Sequence, residues 1–85
     1  MTAYLFYTKG SPHERQMQDL ADELGRRQVE AELVEADSPH GLQLTENYDV
    51  LARPAIVLAA ADGTAIVQWQ DQLPEPSEIS YWAHR

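Results

Sequence analysis

The apolar positions of this chain change period several times, and each change marks an element. Residues 3–7, Ala-Tyr-Leu-Phe-Tyr, form an unbroken apolar run of the length of a short buried strand. Further on, Met17, Leu20, Ala21 and Leu24 recur at the i, i+3, i+4, i+7 spacing of one helical face. Residues 29–36 alternate, with Val29, Ala31 and Leu33 set against Glu30 and Glu32, which predicts a half-buried strand. Its glutamates suit a sheet edge, where charge discourages pairing with another chain.

A second Ser-Pro start, Ser38-Pro39, predicts a short helix over 39–47 that turns Leu42 or Leu44 inward, with Tyr48 near its end. Residues 54–59, Pro-Ala-Ile-Val-Leu-Ala, are continuously apolar and read as a central strand buried on both faces. Asp62-Gly63 is a hairpin signal, and residues 64–70 form the returning strand. Leu73-Pro74-Glu75-Pro76 breaks the sheet, and a last helix over 75–84 buries Ile79, Trp82 and Ala83. The element order is β-α-β-α-β-β-α.

Between the first strand and the first helix lies Tyr7-Thr8-Lys9-Gly10-Ser11-Pro12-His13-Glu14-Arg15. Ser11 is placed to cap the helix, Pro12 to occupy its first turn, and Glu14 to complete a Ser-x-x-Glu capping box. Gly25, Arg26 and Arg27 mark its end. A strand–turn–helix junction aims backbone N–H groups and the positive end of a helix dipole at one point. That makes the turn the leading candidate site.

Composition narrows the function. The 85 residues make one small domain, and the chain contains no cysteine, which excludes thiol–disulfide exchange and disulfide bracing. A net charge of −8 argues against a phosphate-backbone partner, so nucleic acid is not expected. No apolar run reaches the roughly 18–20 residues that span a bilayer, and the N-terminus lacks a basic region ahead of its apolar run. A cytoplasmic, monomeric protein is the expectation. Lys9, Arg15, Arg26 and Arg27 cluster in the first third of the chain, most simply as a solvated helix face. His13, His40 and His84 are scattered without ligand spacing, so no metal site is expected.

The turn resembles the start of a glutaredoxin, in which a Tyr-Ser-Lys-like segment precedes Cys-Pro-Tyr-Cys. Here Tyr7-Thr8-Lys9 precedes Ser11-Pro12-His13-Glu14, and both cysteine positions are filled by other residues. The segment from Tyr48 to Leu58 is similar to the stretch in which that family carries a cis-proline, here Pro54. Arg53 stands where the family has a small or β-branched residue, and Trp69-Gln70-Asp71-Gln72 lacks a glycine common after the fourth strand.

The resemblance implies a single α/β domain of thioredoxin-like fold, with a four-stranded mixed sheet in order 2-1-3-4, three helices and only the last strand antiparallel. It implies a working surface where Lys9, Gly10, Ser11 and His13 meet Arg53 and Pro54. There the backbone of residue 53 can pair with an extended protein or peptide ligand. Arg53 beside Lys9 and His13 would form a cationic spot that complements a carboxylate. The alternative is a transferase-like enzyme binding glutathione or another thiol through Ser11, without a resident cofactor.

Overall fold

The structure, a computed structural model, describes residues 1–85. Seven elements follow in the expected order: β1 (Thr2–Tyr7), α1 (His13–Arg26), β2 (Glu30–Glu35), α2 (Pro39–Asn47), β3 (Ala55–Ala59), β4 (Ala65–Gln70) and α3 (Pro76–Ala83). The four strands form one sheet in order β2-β1-β3-β4.

Strand direction corrects one expectation. β1 and β2 are parallel, but β3 is antiparallel to β1, and β4 is antiparallel to β3. The reversal therefore falls at β3, and β4 again runs the way of β1. Helix length explains this. A nine-residue helix such as α2 rises only about 13 Å, less than the roughly 17–20 Å of a six-residue strand. With the 48–54 loop it returns the chain to the end of the sheet where β2 stopped. Ala55 accordingly pairs with Phe6, next to the end of β1.

Two apolar layers flank the sheet. On the α1 and α3 side, Leu5, Ile56 and Leu58 pack with Met17, Leu20, Leu24 and Ile79. On the α2 side, Phe6, Val34, Val50, Ala55 and Val57 form a second cluster, onto which Tyr4, Leu44 and Tyr48 pack. All five residues of β3 are buried, because it is an interior strand covered on both faces. Of the two leucines of α2, Leu44 is the inward one and Leu42 is exposed. β2 departs from strict alternation: Leu33 is 39% exposed while Val34 is buried. An edge strand is covered fully only where α2 overlies it, which is at Val34. In α3, Ile79 is buried, whereas Trp82 and Ala83 are half-buried at its rim.

α1 ends at Arg26, within the Gly25–Arg27 stretch that marked its end. Gly25 lies inside the helix, and the left-handed residue that closes it is Gln28, at φ 60°. The Gln28 N–H donates to the Gly25 carbonyl and the Val29 N–H to that of Leu24, a Schellman-type stop.

Candidate functional site

The site starts at the β1–α1 turn. β1 ends at Tyr7, and Gly10 takes a left-handed φ of 80° with open space around it. The Ser11 N–H donates to the Thr8 carbonyl, and the Glu14 N–H to that of Ser11. The helix then begins at His13 with no side-chain cap at its N-terminus.

The expected capping box is therefore not formed. Glu14 reaches back past Ser11, and its carboxylate accepts from the Gly10 N–H at 2.7 Å. Ser11 Oγ is buried and has no hydrogen-bond partner. Gly10 is the residue whose N–H lies exposed in the turn, so the carboxylate satisfies that donor. Glu14 also places a negative charge at the helix N-terminus, where an incoming anion would sit. The Tyr7 hydroxyl is held above its ordinary ionisation range, first by burial and then by the charges of Glu14 and Glu35.

The second wall is the segment before β3. The Arg53–Pro54 peptide bond is cis, and Pro54 is buried. Gln70, at the end of β4, holds the segment in place. Its Oε1 accepts from the N–H groups of Leu51 and Ala52, and its Nε2 donates to the Asp49 carbonyl. The Asp71 N–H donates to the Pro54 carbonyl. Between these ties, the backbone N–H and C=O of Arg53 make no hydrogen bond within the chain. Leu51 beside them is 91% exposed. The clamp residue, Gln70, escaped the sequence reading. A glutamine in an edge strand carries no local signal that its amide serves a loop 18 to 21 residues away.

The cationic spot is corrected as well. The Arg53 guanidinium turns to Asp37, at 3.3 Å, in the loop after β2. His13 Nδ1 faces Gln16 at 3.5 Å, and Lys9 is exposed without an ion pair. Glu14, Glu35 and Asp37 thus border the turn, and a carboxylate finds no cluster of free cations there. The other histidines are structural: His40 lies 3.1 Å from Glu32, and His84 Nε2 donates to the Arg27 carbonyl. No group of three metal-ligating side chains occurs.

One open groove of about 300 Å³ lies elsewhere, between α1 and the β4–α3 loop, lined by Leu20, Leu73, Pro74 and Pro76. Its carboxylates Asp19 and Glu23 are paired with Arg15 and with Arg26 and Arg27.

No family model matches the chain, and no curated protein matches it in sequence. Its backbone does match a solved structure. Thioredoxin 1 from the thermophilic eubacterium Thermosipho africanus TCF52B superposes with a TM-score of 0.66, over 99% of this chain and 91% of that one, at 11% identity. The chain has the thioredoxin fold. At that identity the likeness concerns the fold, and the cysteine pair of a redox-active thioredoxin has no counterpart in a chain without cysteine. No helix is long and apolar enough to cross a membrane.

Proposed function

We propose that this thioredoxin-fold domain is a non-catalytic binding module that takes an extended segment of a protein partner along Arg53. One observation carries the reading: the N–H and C=O of Arg53 are both free while the backbone on either side is tied down. A rigid residue offering one donor and one acceptor on an exposed loop is the minimal unit for adding a strand-like ligand. Leu51 supplies apolar contact beside it. The partner is recognised mainly through its backbone, because Asp37 already engages the Arg53 side chain.

A second reading, a thiol ligand such as glutathione held by Ser11, draws support from the unpartnered Ser11 Oγ. Glu14 opposes it, since its carboxylate occupies the Gly10 N–H and repels an anion.

Amide shifts separate the two. Reduced glutathione should leave the spectrum unchanged, whereas unstructured peptides selected by display should shift and protect the Arg53 amide. Shifts at Gly10 and Ser11 on glutathione addition favour the second reading. Selected peptides that leave residues 51–54 unmoved exclude the first. Insulin reduction should stay at background in either case, because no side chain here forms a thiolate.

A further inference from the structure

Glu14, Glu35 and Asp71 stand near the backbone of Arg53 and Pro54, and Tyr7 links them. Tyr7 ends β1 one residue past the last pair of the β1–β3 ladder, Phe6 with Ala55, and so comes level with Pro54. On its other side Tyr7 is in register with Glu35 of β2. Register neighbours on adjacent strands put their side chains on one face, and Tyr7 packs on the α1 face. Glu35 therefore lies on the face bordered by the first turn of α1, where the Glu14 carboxylate is held by the Gly10 N–H. The charges of Glu14 and Glu35 both act on the Tyr7 hydroxyl. Asp71 is fixed on the β4 side, where its N–H donates to the Pro54 carbonyl.

These carboxylates have no counterion within the chain. Glu14 accepts only from the Gly10 N–H, and none of Glu14, Glu35 and Asp71 enters an ion pair. Asp37 differs, because the Arg53 guanidinium at 3.3 Å neutralises it. Arg15 is spent on Asp19, which leaves Lys9 as the free cation of the turn. The neighbourhood is therefore negative, on a chain that itself carries −8.

We infer that the extended segment bound along Arg53 is basic, with a lysine or arginine next to the backbone-paired residue engaging Glu14 and Glu35 beside Tyr7. This rests on the reading of Arg53 as a strand-adding residue and supplies the selectivity that reading lacks. Backbone bonds hold any extended chain, and side-chain contacts choose among them. The carboxylates act as selectors on that site and are not a site by themselves. A cation placed there forms charge-assisted hydrogen bonds with groups that are otherwise unpaired. The net charge also draws basic partners to the domain and turns away acidic ones, a second copy of this chain among them.

Short random peptides selected by display on the intact domain, then titrated with amide shifts followed, test it. Peptides that shift and protect the Arg53 amide should carry an excess of lysine and arginine, and should bind more weakly as sodium chloride is raised. Glu35→Gln and Glu14→Gln should each weaken them about two- to fivefold, the usual contribution of one exposed ion pair. Glutamine at 14 still offers an oxygen to the Gly10 N–H, so the turn is kept. Glu46→Gln removes the same net charge from α2, on the other face of the sheet, and should leave affinity unchanged. Neutral or acidic peptides that protect the Arg53 amide overturn this inference and leave the binding reading standing. So does an affinity that Glu14→Gln and Glu35→Gln leave unmoved. Equal weakening by Glu46→Gln overturns it too, because the attraction then belongs to the whole chain. Basic peptides that leave residues 51–54 unmoved, or a selection that yields no binder, remove the Arg53 reading and this inference with it.

Discussion

Glu14 accepts a hydrogen bond from the Gly10 N–H at 2.7 Å, while Ser11, the residue placed to cap the helix, has a buried hydroxyl that bonds to nothing. The turn ahead of the helix, which also forms one wall of the candidate site, is thus tied by a carboxylate reaching back from the helix's first turn.

Ser11 and Glu14 should therefore respond in opposite ways. Glu14→Ala should cost about 0.5–1.5 kcal/mol, the net worth of a hydrogen bond. Ser11→Ala should be neutral or stabilising by up to about 1 kcal/mol, since it deletes an unsatisfied buried hydroxyl. A working Ser cap would instead lose about 0.5–2 kcal/mol. Urea denaturation of both variants and the double variant decides between them, and the double-mutant cycle should show little coupling.

The true cap belongs to α2. Ser38 Oγ accepts from the Gly41 N–H at 3.0 Å and donates to the Glu35 carbonyl at 2.7 Å. Ser38→Ala should cost about 0.5–2 kcal/mol. Gly41 is buried, and an added Cβ would fall on the Glu35 carbonyl, which is backbone and cannot swing aside. Gly41→Ala should then cost about 1–3 kcal/mol or more by overpacking, forcing α2 off the end of β2. Thermal melts and the chemical shifts of β2 would report both.

Two positions in α1 should be improvable. Gly25 is helical with nothing within 4 Å of an added Cβ, so Gly25→Ala should gain roughly 0.5–1 kcal/mol. Gln28 holds a positive φ that glycine adopts at no steric cost, so Gln28→Gly should also stabilise. Chemical denaturation should show both gains, and they should add if the helix stop is as described.

Stability should fall at both ends of the pH range. The Tyr4 and Tyr7 hydroxyls are held above the ordinary value of 10.0, in both cases first by burial and then by neighbouring groups. A raised folded-state pKa means the contribution is intact below 10 and is lost as pH rises through the folded value. Glu23 is held below its ordinary 4.5, first by its hydrogen bonds from Arg26 and Arg27, and Asp62 below 3.8 by the Thr64 N–H. Those contributions are present above the ordinary values and are lost as pH falls through the lowered ones. Unfolding followed against pH should show Tyr7→Phe blunting the alkaline loss and Glu23→Gln blunting the acid one.

Local patterning was enough to determine the seven elements and their order, the depth of β3, the Asp62-Gly63 turn and the impossibility of thiol chemistry. Each of these depends on residues close together in the chain, where side-chain period and turn chemistry act directly. The resemblance at Tyr7–Lys9 and around Pro54 extended that to the sheet order. Tertiary structure alone decided the direction of β3, which follows from how far a short α2 can carry the chain. It also decided which of two similar Ser-Pro starts is a real cap: Ser38 Oγ accepts from the Gly41 N–H and donates to the end of β2, whereas the Glu14 N–H that Ser11 Oγ would take goes to the Ser11 carbonyl instead. Arg53 pairs with Asp37, and Gln70 clamps the loop before Pro54, through contacts that only the packing of distant segments creates. Periodicity records which face of an element is buried, and it carries no information about which distant partner lies across from an exposed polar group.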